Sequence, residues 1–154
     1  MEIGQLLLEV KLARVINPDS AGKQRTQLVR GTALALRELV RSSHKSEPDL
    51  ETHDLAAFIA LSLQAISVTI DPSVDAWEKR GYWVKADHFR MEWAWTTKLS
   101  RAMRDALLVE DWPSVMLTGA QISQKLGNIK ISEHHRLGTP WKGAWSKLKE
   151  DSKF

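Results

Sequence analysis

His88 and Glu92 stand four residues apart, the spacing that brings two side chains onto one helical face. An imidazole beside a carboxylate can move a proton or help hold a metal ion. By angular count the pair shares its face with Trp95, Leu99, Ala102 and Ala106, an otherwise apolar surface. Against that chemistry stands the ordinary role of an i,i+4 Glu and His pair as a helix-stabilising contact, together with the lack of a third catalytic member. A second group, Glu51, His53 and Asp54, begins a different helix, and antiparallel packing would put it ~20 Å from His88, too far to form one site. His134 and His135 beside Arg136 read as a solvated loop pair.

The chain has no glycine-rich phosphate loop, no serine nucleophile elbow and no two-histidine metalloprotease helix. It also has no cysteine, which excludes thiol catalysis, disulfide staples, iron–sulfur clusters and the cysteine-based zinc motifs. No catalytic residue, metal ligand or cofactor is assigned. An enzyme using His88 and Glu92 as an acid–base pair or as metal ligands is kept as an alternative.

The cations carry more. Net charge is only +3, but Ser20 to Lys45 holds Lys23, Arg25, Arg30, Arg37, Arg41 and Lys45 against the single acid Glu38. At about 100° per residue, Lys23, Arg30, Arg37 and Arg41 fall within about 20° of one line, away from Leu28, Leu36 and Leu39. That row is expected to stay in water as a cationic ridge, because the opposite flank of the helix is apolar. A second basic stretch, Lys125 to Lys149, sets six cations against Glu133 alone and places Trp141, Lys142 and Trp145 among them. Cations that follow phosphates and rings that stack on bases are the ingredients of sequence-tolerant nucleic-acid binding. Lys23, Arg30, Arg37, Arg41, Trp141, Lys142 and Trp145 are the candidate nucleic-acid or anion contacts.

Seven tryptophans occur in the 154 residues. On one continuous helix Trp93 and Trp95 would point about 160° apart, so one of them is expected to meet a partner, a second copy of the chain forming a homodimer.

Prolines, glycines and capping residues cut the chain into helix-sized pieces, and no run alternates at the period of a strand. Met1 to Ile16 reads as an amphipathic helix ended by Asn17-Pro18. Asp19 or Ser20 is expected to cap a helix to about Ser43, and Asp49 to cap a third. In the third, 12 of the 16 residues from Leu55 to Ile70 are apolar, which calls for a helix wrapped by others, short of the ~18 apolar residues of a membrane span. Asp71-Pro72 is expected to open a short helix that closes at Gly81, followed by one long helix from Tyr82 to Glu110. Asp111 and Pro113 should start the next, ended by Gly127-Asn128, and Thr139-Pro140 the last.

The fold expected is all-α: a single-domain helical bundle of five to seven helices around the apolar helix at residues 50–70. Residues 1–128 would form the core and 129–154 a basic, tryptophan-bearing segment packed on it. No basic leader with an apolar run opens the chain, so a cytoplasmic protein without a membrane span is expected. The function expected is a non-catalytic, self-associating interaction subunit or adaptor. Its basic face would take an acidic partner, either the nucleic-acid backbone or an acidic protein. A purely structural protein–protein module, whose cations serve solubility, is the other alternative.

Overall fold

The computed structural model describes residues 18–152, and among them there is no strand. Seven helices follow in chain order: α1 (Pro18–Ser42), α2 (Leu50–Val68), α3 (Ile70–Lys79), α4 (Trp83–Trp93), α5 (Trp95–Leu108), α6 (Trp112–Lys125) and α7 (Ala144–Asp151). The helix expected over Met1 to Ile16 lies outside the described residues. Asp19 and Ser20 fall inside α1 rather than at its cap.

Asp49 caps α2 as expected, its Oδ1 accepting from the Thr52 amide at 2.9 Å and the Thr52 hydroxyl at 2.8 Å. The helix that follows buries residues on every side, among them Leu55, Phe58, Ile59, Leu63 and Ile66, and it packs against α1, α5 and α7. By length and composition the Leu50–Lys79 rod passes as a membrane span, with mean hydropathy 1.6 over its most apolar window, yet 67% of that window is buried inside the protein.

Two expected boundaries in the middle of the chain also move. Residue 72 is a proline and has no amide to give to Val68, so the helical hydrogen-bond ladder is interrupted there. The interruption falls at Thr69, whose hydroxyl donates to the Ile66 carbonyl at 2.6 Å. The helix α3 therefore starts at Ile70, and Asp71 sits in its first turn instead of capping it. The long helix expected from Tyr82 to Glu110 is likewise divided at Ala94. There the Thr96 hydroxyl bonds the Trp93 carbonyl at 2.7 Å.

Helix ends follow local chemistry. At the end of α3, Tyr82 N–H reaches Trp77 O and Gly81 N–H reaches Glu78 O, both at 2.9 Å, with Gly81 left-handed at φ 83. The same paired closure ends α5: Asp111 N–H to Ala106 O and Glu110 N–H to Leu107 O, each 2.9 Å. In this second copy the left-handed residue is Glu110, φ 54, where glycine is the usual occupant. Asp111 caps α6 by accepting from Ser114 N at 3.2 Å.

The last helix does not start at Thr139-Pro140. Residues 140–143 form turns, and α7 begins at Ala144 after Gly143, φ 83. Its capping acceptor comes from another helix. The buried Asp54 carboxylate of α2 accepts from Gly143 N at 3.3 Å and Trp145 N at 2.9 Å. Asp54, 89 and 91 residues away in sequence, thereby pins the C-terminal segment to α2.

Candidate anion-binding groove

The segment after α6 runs back along α1, and this divides the expected ridge. Arg37 is only 23% exposed; its Nη1 donates to the Ile131 carbonyl at 2.6 Å, and its Nε lies 3.5 Å from Glu38. Arg41 bonds Glu133 at 2.6 Å and Glu38 at 3.1 Å. The Arg41 hydrogen bond, with the charges of Arg37 and Arg41, holds the Glu133 carboxyl below the usual carboxylate range, and Glu133 in turn raises Arg41. These two arginines are thus engaged by the protein's own chain, because the one acid of the basic tail folds onto them. Lys23 and Arg30 remain exposed.

Another set of cations comes together nearer the start of α1. Arg25, Thr26, Val29 and Arg30 of α1, Trp93 at the end of α4, and Asn128, Ile129 and Lys130 line a cavity of about 380 Å³. Three cations face it and no acid lines it. Arg25 is its most unusual member. Its Nη1 donates to the Thr69 carbonyl at 3.2 Å and the Thr69 hydroxyl at 3.1 Å, with Ser73 Oγ at 3.5 Å. Its guanidinium also lies 4.8 Å from the Phe89 ring centre and 5.7 Å from that of Trp93. Burial pushes its pKa down, partly countered by the nearby charge of Glu92. Among the described residues no carboxylate forms an ion pair with it. The Trp93 indole N–H is buried and has no hydrogen-bond partner among the described residues.

The other expected contacts lie elsewhere. Trp141 is a core residue, 5% exposed. Trp145 is half-buried against the His53 ring, centroids 5.1 Å apart, with Lys149 Nζ 4.8 Å from its ring centre. Lys142 is exposed. None of the described contacts of these three brings them to the groove. Trp93 and Trp95 do not diverge: their rings stack 24° from parallel with centroids 6.4 Å apart. Both pack against the core, so the argument that one of them must face a partner no longer holds.

His88 and Glu92 are exposed, with no hydrogen bond between them, and no metal-sized group of His, Asp and Glu exists among the described residues. The histidine that does gain a carboxylate is His53. Its Nε2 is 2.6 Å from Glu110 Oε1 and its Nδ1 is 2.7 Å from the Asp49 carbonyl, with the Trp112 ring edge-on at 4.9 Å. Both ring nitrogens are engaged, so neither is free to take a proton from a substrate. Position alone carries no sign of this pair, since 57 residues separate its members. Arg25 did leave a signal: it lies three and four residues before Leu28 and Val29, at the edge of the apolar face.

No protein-family model, curated protein or solved structure matches the chain.

Proposed function

We propose that the protein is a non-catalytic helical bundle, centred on α2, that binds an anionic polymer, the nucleic-acid backbone, at the groove between α1 and residues 128–130. The observation that carries this reading is an acid-free cavity lined by three cations, one of them an arginine that forms no ion pair with a carboxylate among the described residues. A half-buried cation whose burial is only partly countered by the charge of Glu92 is suited to a ligand that brings further negative charge. Lys23, seven residues before Arg30 on the same line, extends the cationic edge by about two turns. The C-terminal segment 129–154 belongs to the same unit in this reading, since Lys130 lines the groove and α7 is capped by α2.

The test is retardation of a labelled oligonucleotide across a salt series. About three phosphate contacts imply an affinity that falls with salt at a log–log slope of roughly −2 to −3. Arg30→Glu combined with Lys130→Glu should abolish binding, whereas Arg101→Glu, the same kind of change at an exposed site on α5, should weaken it only slightly. Unchanged affinity and slope in the double variant would reject the groove.

A further inference from the structure

We infer that the groove admits one unpaired nucleotide, so that the nucleic acid it takes is single-stranded. This rests on the nucleic-acid reading above and adds to it the form of the strand. Walls and rim differ in chemistry. Arg30 and Lys130 supply charge, Val29 and Ile129 supply apolar surface, and Asn128 carries a carboxamide that can both donate and accept. The recess, about 380 Å³, is in the lower part of the ~300–1,000 Å³ range of small-ligand sites.

A duplex presents phosphates on a convex cylinder and keeps its bases inside the stack, so it can reach the rim cations but leaves the recess empty. A single strand can turn a base out, place it against Val29 and Ile129, and offer its polar edge to Asn128 while its phosphate meets Arg30 and Lys130. The tryptophan in the wall is not the stacking platform. Arg25 lies over the Trp93 ring and Trp95 stacks against it, so the ring already has neighbours. Base contact therefore falls to the aliphatic wall and the amide, a pattern that accepts any base.

The experiment compares one labelled sequence of about 12 nucleotides, free and within a blunt duplex, by fluorescence anisotropy at roughly 50 and 200 mM salt. The full-length protein is expected to bind the single strand about tenfold tighter or more. Ile129→Trp, which fills the cavity mouth from a partly exposed position, should bring the ratio of the two affinities close to one. Asn128→Ala should lower it part of the way, and keeps the test open if the tryptophan variant does not fold. Duplex binding as tight as single-strand binding overturns the inference and leaves the proposed function standing. So does a ratio unchanged in both variants. Absence of binding to either form at the lower salt overturns the proposed function itself, and the inference with it.

Discussion

Glu110 holds a left-handed backbone, φ 54, at the position after α5 where a side chain costs about 1–2 kcal/mol relative to the right-handed region. What the glutamate gains there is the 2.6 Å contact with His53. Glu110 is 58% exposed while His53 is 14% exposed, so solvent screening brings a charge-assisted hydrogen bond down to about 1 kcal/mol. The two terms nearly cancel, which sets the order of three variants. Glu110→Gly relieves the backbone and loses the contact, so its stability should lie within about 0.5 kcal/mol of the parent. Glu110→Ala loses the contact and keeps the strain, and should be less stable by about 1 kcal/mol, a midpoint about 2–4 °C lower. In a His53→Gln background the contact is already weakened, so Glu110→Gly should become stabilising by about 1 kcal/mol. Urea unfolding followed by tryptophan fluorescence measures all three. Alanine as stable as glycine would show that the left-handed turn does not govern this corner. A glycine variant more stable than the parent by the full strain would show that the His53 contact contributes nothing.

Asp54→Ala leaves two amides at the start of α7 without an acceptor and should lower stability by about 2–3 kcal/mol, with Asp54→Asn intermediate; urea midpoints decide, and a loss below about 0.5 kcal/mol would remove Asp54 as the cap. Acid should act through the two exposed caps. The Lys45 hydrogen bond, then those of Thr52, hold Asp49 far below the usual carboxylate range, and the Ser114 hydroxyl and amide hold Asp111 below it. A carboxylate whose folded pKa is depressed stabilises the fold above about pH 4 and loses that contribution as pH falls through the folded value. The urea midpoint should therefore drop as pH falls below about 4, and less steeply in the Asp49→Asn, Asp111→Asn double variant; an equal slope in the two proteins would exclude these caps as the source.

Several features were legible without coordinates because their causes are local. The Asp49 cap, the Asp111 and Pro113 start of α6 and the Gly81 stop each depend on backbone groups within a few residues. The apolar run of α2 marked a helix that must be covered on all sides, and its buried faces follow from composition. The misplaced boundaries are local too, but more finely balanced: the Thr69 hydroxyl bonds a carbonyl just ahead of the break expected at Asp71-Pro72, and the Thr96 hydroxyl bonds one inside what periodicity reads as continuous helix.

The candidate site was legible only in part. Counting angles along α1 found a row of cations, and of that row Lys23 and Arg30 stay in water while Arg37 and Arg41 meet Ile131 and Glu133. Arg25 looked like one more charge, and proved to be the half-buried one beside Phe89 and Trp93. Trp141 and Trp145 looked like stacking rings, but one fills the core and the other lies against His53.

Residue order alone determined that the described residues are helical, where Asp49 and Asp111 cap and where most helices stop, and that positive charge gathers in two stretches, since these depend on interactions within about one turn of helix. Only the tertiary structure decided which cations are free and which acid neutralises which base. The contacts that decide this at the candidate site join groups 44 to 94 residues apart, Arg25 with Thr69, Arg41 with Glu133 and Arg37 with Ile131. Helical periodicity carries no information over such separations; the packing of one rod against another supplies it.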